Sequence, residues 1–502
     1  MKRFFQTLPP FKATLLLILA TTLVRIAASI NAELTTDEAH YALYGYHLDW
    51  SYFDHPSLIG WLQALMLNFS SSELAMRFIP LLLFAAASVV LYKLSVKLFP
   101  NESRWLGFVS VALMQSAVML QLIGMAMLPD SPLLLLGLLV VWVLHDIVKD
   151  GQAGKNTLRY WLWLGLLLGL AGISKYTAVT LVLTVLLALH FGRKWRQVLS
   201  PGPWLAVIVA GVVILPVLYW NYKHEWLSIL FQLHHGTAKL DWQFKRLIIS
   251  QAGQLIVYGP LLFGFGWVAL VSGLKRWGAL AQAENHGTML LLAAALPLLL
   301  LFAWNSGYEM TLPHWTSFGW LVLAPLTARW LIKAWHKRWL RNTVYVSAAY
   351  SVLLNAAILG QLISPWLPFA ENNNPLKDLY GWKAAAQHAA ALRGEMNMVN
   401  PDEAYIFVEN WTQGSRLGWY ARPAPIMVLD DKINQFDIWF GSPKNNMRGI
   451  LVLWPGETAQ PETGGPGHFA KCALHDRMPV KVKGRVSSTF SFYACEGYQL
   501  KD

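Results

Sequence analysis

The stretch that decides the fold is Thr35-Thr-Asp-Glu-Ala-His-Tyr-Ala-Leu-Tyr-Gly-Tyr-His-Leu-Asp-Trp-Ser-Tyr-Phe-Asp-His-Pro56. It lies between two apolar runs, 11–30 and 75–98, which are long enough for the roughly 20 residues that a membrane-spanning helix needs. The whole loop, 31–76, holds six acidic residues and neither Lys nor Arg. Acidic side chains at the edge of a membrane are costly to keep there, so this loop is predicted to be functional.

Apolar runs continue along the chain beyond this loop. Hydrophobic residues make up 55% of the 502 residues and charged residues only 14%, against about 25% charged in a soluble domain. This composition excludes a disordered chain, a coiled coil and an ordinary cytosolic enzyme, and it predicts an α-helical polytopic membrane protein. The eleven runs lie at 11–30, 75–98, 105–123, 132–148, 160–173, 177–191, 204–222, 250–272, 288–303, 315–332 and 342–363.

The net charge of +12 lies entirely in the apolar part of the chain. Residues 1–363 carry 26 basic and 14 acidic residues, whereas the remaining 139 carry 14 of each. The basic residues are spread over short breaks between apolar runs and form no continuous basic face, so a nucleic-acid partner is excluded.

The breaks alternate between basic-rich and basic-poor, which indicates topology. Five basic residues occur in the set 31–76, 124–131, 174–176, 223–249 and 304–314. The other set of breaks contains many more basic residues and is predicted to be cytoplasmic. The N-terminus is then inside and the tail is outside. Met1 to Ile30 could also be a signal peptide, but Arg25 interrupts its apolar part, so a retained first helix is favoured.

Residues 364–502 are predicted to be a separate periplasmic α/β domain, with 1–363 as the transmembrane domain. Tyr405-Ile-Phe-Val and Gly449-Ile-Leu-Val-Leu-Trp are typical of buried strands, and Gly381–Arg393 of a helix. The two cysteines, Cys472 and Cys495, both fall in this tail. On an oxidising side of the membrane they would pair, and facing a reducing compartment they would stay free thiols.

The first loop is predicted to start with an interfacial helix. Thr36 is a suitable cap for a helix that begins at Asp37, and Tyr41, Tyr44 and Leu48 would then share one face. Asp37 and Glu38 could simply be a charged helix start. Their position directly after the first span, among His40, His47 and His55, favours a functional role instead.

Three further polar elements are predicted to lie on the same outer side of the membrane as the first loop. Asp130 stands between two prolines, Lys175 is a lone base in the turn between two short apolar runs, and 308–314 contains Tyr308, Glu309 and His314. Asp130 could be only a helix cap, and Lys175 could only extend toward the interface. Their common side predicts one polar cavity at the membrane boundary.

Together these motifs resemble the bacterial family 39-type glycosyltransferases, which are relatives of protein O-mannosyltransferases and of the aminoarabinose transferase that modifies lipid A. The resemblance covers about 1–365 and rests on four segments in the family's order: Asp37 to Pro56, Pro129-Asp130-Ser-Pro, Gly172-Ile-Ser-Lys175-Tyr and Leu312-Pro-His314-Trp. It implies a GT-C fold, a polyprenyl-phosphate-linked monosaccharide as donor, and a glycan or lipid acceptor such as lipid A outside the cytoplasm. One departure is the absence of Lys and Arg from 31–76, because some lipid A-modifying relatives use a basic residue there.

The resemblance and the chemistry of these residues together predict the roles in the site. Asp37 corresponds to the family's first-loop acid and would take the proton of the acceptor hydroxyl. Lys175 would stabilise the departing phosphate, in one displacement that inverts the anomeric carbon. Glu38 and Asp130 complete the predicted catalytic acids, and the predicted substrate-binding residues are Lys175, His55, Tyr308, Glu309 and His314.

Two questions stay open at this point. A divalent ion could be held by Asp130, Glu309, His55 and His314, since some relatives need a metal and others do not. The alternative functions are a transporter or flippase and, third, a scaffold without catalysis. No second broken region corresponds to 160–191, as inverted repeats would require, so an enzyme is favoured.

Overall fold

The computed structural model describes residues 8–192, 198–234, 241–275, 285–367, 379–399, 403–454, 467–483 and 485–500. The chain separates into two compact units. The first comprises the residues up to Ala27, Asp54–Leu58 and Arg77–Leu359. The second comprises Ala28–Phe53, Ile59–Met76 and the chain from Gly360 onward.

Helices make up nearly all of the chain before residue 364. In chain order they are α1 (Pro10–Asn31), α2 (Thr36–Tyr46), α3 (Leu58–Leu67), α4 (Glu73–Leu98), α5 (Leu106–Ser116), α6 (Val118–Ile123), α7 (Asp130–Gln152), α8 (Leu158–Gly172), α9 (Val179–Phe191), α10 (Pro201–Lys223), α11 (Leu227–His234), α12 (Phe244–Gly259), α13 (Phe265–Leu274), α14 (His286–Asn305), α15 (Ser317–Ala334) and α16 (Arg338–Ile363). Short 3₁₀ turns at Tyr176–Ala178 and Pro313–Thr316 precede α9 and α15. A π-turn at Pro260–Gly264 joins α12 to α13.

Seven helical segments of the described chain are long and apolar enough to cross a membrane: Pro10–Asn31, Glu73–Leu98, Asp130–Gly151, Pro201–Lys223, Phe244–Leu274, His286–Asn305 and Arg338–Ile363. They match seven of the eleven predicted runs. The other four runs are helical too, but the run at 105–123 breaks at Ala117, whose backbone is extended. The runs at 160–173 and 177–191 become α8 and α9, of 15 and 13 residues, and 315–332 becomes α15. The polytopic helical fold is confirmed.

Close helix contacts in the first unit rely on small residues. A Cβ added at Gly165 of α8 would lie 2.5 Å from the carbonyl oxygen of Ala206, and one at Gly169 would lie 2.7 Å from Cβ of Val213. Because lipid supplies no hydrophobic drive between helices, close backbone approach through such small residues is what holds α8 against α10.

The second unit contains an α/β domain formed by the tail. Its helices are α17 (Trp382–Val399), α18 (Trp411–Tyr420) and α19 (Gln435–Phe440), and its strands are β1 (Ala404–Val408), β2 (Ile426–Val428), β3 (Arg448–Leu453), β4 (Gly467–Val482) and β5 (Arg485–Leu500). The strand order is β2-β1-β3-β5-β4. Strands β2, β1 and β3 are parallel, whereas β5 pairs antiparallel with both β3 and β4. The predicted helix and both predicted strands are present, and α17 buries Trp382, Ala385 and Ala389.

The sequence predicted a boundary at residue 363, and the second unit includes the chain from Gly360 onward. Most of the first loop, as Ala28–Phe53 and Ile59–Met76, belongs to the same unit as the tail. Two contacts show why. The carboxylate of Glu33 accepts a hydrogen bond from the backbone N–H of Trp382 at 2.8 Å, and the hydroxyl of Tyr420 receives one from the N–H of Leu34 at 2.9 Å.

Cys472 and Cys495 face each other across β4 and β5 and are joined by a disulfide. We expect the double substitution Cys472→Ser/Cys495→Ser to lower the free energy of unfolding of the second unit by about 3 kcal/mol, because the bond restricts the unfolded chain. Denaturant titration of the full chain in detergent measures the loss. Reduced wild-type protein is the matched control and should lose the same amount; an unchanged unfolding midpoint in both would contradict the prediction.

Candidate active site

A buried ion pair joins two of the predicted site residues in the first unit. Asp130 is the first residue of α7, where the helix dipole favours an acid. Lys175 has an extended backbone between α8 and the turn at 176–178. Its Nζ lies 2.8 Å from Oδ1 and 2.7 Å from Oδ2 of Asp130. The two residues are only 3% and 6% exposed, so neither charge could be kept there without the other.

A hydrogen bond between the two residues that precede Lys175 and Asp130 also holds this pair in place. The hydroxyl of Ser174 donates to the carbonyl oxygen of Pro129 at 2.8 Å. The α8–α9 break is therefore tied to the start of α7 through two consecutive residues on each side. Helix α8 ends at Gly172, and the extended backbone that follows turns Lys175 toward Asp130.

His314 and His55 share the electrostatic environment of this pair. His314 lies in the 3₁₀ turn ahead of α15. Loss of hydration lowers the pKa of His314 to about 4, and the charges of Asp130, Lys175 and His55 also act on it. The ring is therefore neutral at pH 7 and can donate or accept a hydrogen bond beside the ion pair.

The segment that carries Tyr308, Glu309 and His314 is held by a row of polar side chains on α12. These side chains follow a spacing of four residues, which places them on one face of the helix. Arg246 donates to the carbonyl of Tyr308 at 2.7 Å, Ser250 contacts the Thr311 hydroxyl at 2.9 Å, Gln254 accepts from Thr316 at 3.0 Å and from Trp320 at 2.8 Å, and Tyr258 donates to the carbonyl of Pro313 at 2.7 Å.

Our sequence reasoning missed this polar face. The signal was present, as polar residues at i, i+4, i+8 and i+12 that begin at Arg246 in the break 223–249 and continue into the apolar run 250–272. Glu309 lies at the start of the same segment, half-buried, and its backbone N–H donates to the carbonyl of Asn305 at 3.1 Å.

The first-loop acids lie in the second unit, at the start of α2. The helix begins at Thr36 and its cap is Thr35, one residue earlier than predicted. Glu38 closes a capping box, since its Oε2 accepts from the backbone N–H and the hydroxyl of Thr35, both at 3.0 Å. Asp37 is half-buried in the same first turn. Glu38 is engaged by the cap, and the proton-transfer role of Asp37 stays a prediction.

The rest of α2 differs from the interfacial helix that the sequence suggested. Residues 38–45 are all buried, Tyr41 and Tyr44 included, and α2 packs on α18 of the tail. Nδ1 of His40 lies 2.9 Å from the hydroxyl oxygen of Ser415. The helix ends at Tyr46, and Leu48 lies beyond it and is exposed. The apolar face of α2 covers protein, which a sequence pattern alone cannot distinguish from lipid.

Metal binding finds no further support in the described residues, where no group of three or more His, Cys, Asp and Glu side chains is arranged to hold an ion. The suggested set of Asp130, Glu309, His55 and His314 stays a prediction. Lys175 already supplies positive charge next to Asp130.

The chain is similar to a known family model and to two known transferases. The family model for dolichyl-phosphate-mannose-protein mannosyltransferase matches residues 54–220. A lipid A galacturonosyltransferase of Rhizobium johnstonii is 25% identical over 396 residues, which cover 76% of this chain and 78% of that protein. An undecaprenyl phosphate-α-4-amino-4-deoxy-L-arabinose arabinosyl transferase of Erwinia tasmaniensis is 22% identical over 330 residues, which cover 64% of this chain and 57% of that protein.

The fold has a counterpart among solved structures. The apo structure of ArnT from Cupriavidus metallidurans matches with a TM-score of 0.60 and 14% identity, over 96% of this chain and 98% of that one. The same protein bound to undecaprenyl phosphate matches with a TM-score of 0.58 and 15% identity, over 95% and 97%. The GT-C fold expected from the sequence is confirmed.

The fold and the related sequences indicate the class of protein: this chain is a membrane glycosyltransferase, and it has the GT-C fold. More narrowly, the expected resemblance to the family 39-type enzymes is confirmed, with a lipid A galacturonosyltransferase and an arabinosyl transferase among its relatives.

Proposed function

We propose that this protein transfers a monosaccharide from a polyprenyl-phosphate donor to an acceptor outside the cytoplasm, by one inverting displacement. The observation that carries the proposal is the buried Lys175–Asp130 pair. A cation so deep in an apolar unit is expensive to keep, and its chemistry suits the stabilisation of a lipid phosphate. The undecaprenyl phosphate bound to a structure of the same fold, and named as donor carrier in a related transferase, supports this donor class.

The proposed reaction is a single displacement at the anomeric carbon of the donor sugar. The acceptor hydroxyl oxygen forms a bond to the anomeric carbon while the bond from that carbon to the phosphate oxygen breaks. The phosphate leaves with the bonding electron pair, and Lys175 stabilises its added negative charge. Asp37 takes the hydroxyl proton. Asp130 orients Lys175 before the donor arrives.

The proposed acceptor and the proposed location of the tail are supported by the charge distribution of the chain and by the related proteins. The cytoplasmic breaks are rich in Lys and Arg, which supports a tail on the periplasmic side of a bacterial inner membrane. The lipid A transferase among the relatives supports lipid A or a similar cell-envelope glycan as acceptor. A divalent ion, if one takes part, would have to be held by the acids and histidines named above.

Proteoliposomes containing the purified protein test the proposal. We expect undecaprenyl phosphate to be released from a labelled undecaprenyl-phosphate sugar only when lipid A is present, and the product linkage to have the opposite anomeric configuration. Movement of the label across the bilayer without transfer would favour a transporter. Transfer from a nucleotide sugar, with none from the lipid-linked donor, would overturn the donor assignment.

A further inference from the structure

A recess of about 460 Å³ lies in the first unit, where α5, the π-turn, α15 and α16 meet. Its lining residues are all apolar, and they include Leu113 on α5, Leu261 in the π-turn and Val344 on α16. Leu113 and Leu261 belong to the buried core of the unit, so they form a floor below the protein surface. The volume lies within the roughly 300–1,000 Å³ that ligand pockets typically have. An apolar recess of this size suits a hydrocarbon chain.

Two tryptophans mark one end of the recess. Trp105 comes directly before α5 and Trp335 directly after α15, and both line the recess. The exposed ring of Trp335 meets that of Tyr345 edge-on, at 6.2 Å between centroids. On α5 the recess continues through Val109 and Leu113, one and two helical turns beyond Trp105. Because Trp and Tyr are enriched at the level of the lipid head groups, this end is expected at a membrane interface.

Basic side chains lie at this same end. The guanidinium carbon of Arg104 is 5.7 Å from the ring centroid of Trp105. Arg341, in the first turn of α16, donates to the carbonyl oxygen of Trp335 at 3.2 Å. Lys337 lies in the connection between α15 and α16, and both it and Arg104 are exposed. The apolar recess therefore ends at a group of cations.

The acid that precedes Arg104 is already neutralised. Oε1 of Glu102 lies 2.7 Å from Nε of Arg329 and 2.7 Å from Nζ of Lys333. Among the residues that the structure describes, no carboxylate lies within 4.0 Å of the three basic side chains at the end of the recess. Basic residues that flank an apolar space between membrane helices are the arrangement that binds anionic lipid head groups.

We propose that this recess binds one anionic phospholipid of the cytoplasmic leaflet. One acyl chain lies over Leu113 and Leu261, and the head-group phosphate contacts Arg104 and Lys337. The choice of leaflet rests on the topology predicted from the basic-rich breaks, to which both cations belong. The lipid holds the start of α5 against the α15–α16 connection and takes no part in sugar transfer.

Native mass spectrometry of the full chain tests whether a lipid of this class binds. Protein depleted of lipid in detergent is titrated with phosphatidylglycerol and with zwitterionic phosphatidylcholine that carries the same acyl chains. We expect one phosphatidylglycerol to bind at least about 10-fold more tightly than phosphatidylcholine, because each basic residue near the membrane surface attracts an anionic lipid. Equal affinity for the two lipids would overturn the proposal.

Two double variants separate this site from a general effect of surface charge. Arg104→Gln/Lys337→Gln should lower the affinity for phosphatidylglycerol to that for phosphatidylcholine, and leave phosphatidylcholine binding unchanged. Lys93→Gln/Lys149→Gln is the matched control, since it removes two exposed basic residues that do not line the recess; we expect it to bind phosphatidylglycerol like wild type. An equal loss in this control would contradict the site.

A variant of the recess wall tests where the acyl chain lies. Ala112 lines the recess, and Ala112→Leu puts a larger apolar side chain into it. We expect weaker binding of both lipids, with the preference for phosphatidylglycerol kept and the unfolding midpoint of the lipid-free protein unchanged. Wild-type lipid binding in this variant would place the lipid elsewhere and reject the proposal.

Undecaprenyl phosphate is the competing occupant, because it is also an anionic lipid. If it binds more tightly than phosphatidylglycerol, and Ala112→Leu removes that binding, the recess belongs to the donor's chain and the proposal is wrong. None of these measurements depends on sugar transfer, so an inactive protein would reject the proposed function and leave the lipid site standing.

Discussion

Asp37→Asn is expected to abolish sugar transfer in a protein that still folds and inserts into the membrane. The amide has nearly the shape of the carboxylate but cannot take the acceptor proton, and loss of a positioned general base lowers rates by about 10²–10⁴-fold. Asp37 lies in the first turn of α2, where its charge contributes only about 0.3–1 kcal/mol to the helix. Turnover of a labelled polyprenyl-phosphate sugar by purified, reconstituted variant measures the effect.

Two neighbouring acids give the controls. Asp49→Asn makes the same charge change in the same loop, where Oδ1 of Asp49 accepts from the N–H of Trp50 at 2.7 Å; we expect near wild-type transfer. Glu38→Gln keeps an acceptor for the capping box, and it should reduce stability more than turnover. Full activity in a correctly inserted Asp37→Asn protein would end the assignment of Asp37 as base.

The sequence predicted the helices of the first unit well because their signal is local. Apolar runs and the residues that interrupt them specify where a helix begins and ends. The break at residues 173–175 was visible as two runs too short to span a bilayer. The start of α2 was also close, since Thr35, Thr36 and the acids that follow are all helix-start residues. Its cap lies one residue earlier than predicted, and the helix ends at Tyr46, before Leu48.

The contacts between these elements were less predictable, because the residues that contact each other are far apart in the chain. Asp130 and Lys175 were expected on one side of the membrane, but 45 residues separate them and no local pattern announces a bond between the two. The burial of α2 has the same cause. Its aromatic face fits a membrane interface and a protein surface equally well, and α18, which covers it, begins at residue 411.

The Asp130–Lys175 pair makes the second large prediction. Removal of one partner leaves an uncompensated charge in a site where both residues are under 10% exposed. Each of Asp130→Asn and Lys175→Met is therefore expected to destabilise the protein by about 3–5 kcal/mol. The double variant removes both charges and should recover most of that stability. Unfolding of the purified protein in detergent measures all three variants.

Activity should not follow stability in this series. Lys175→Met removes the charge that stabilises the leaving phosphate, and loss of one such donor typically costs about 10²–10³-fold in rate. The double variant should then be stable and still inactive, with weakened binding of undecaprenyl phosphate. A surface pair, Lys155 and Asp150 at 3.4 Å, provides the matched double substitution, expected to change neither property. Wild-type turnover in the stable Asp130→Asn/Lys175→Met protein would show that the buried pair only joins α7 to the α8–α9 break, and the phosphate would have to be stabilised elsewhere.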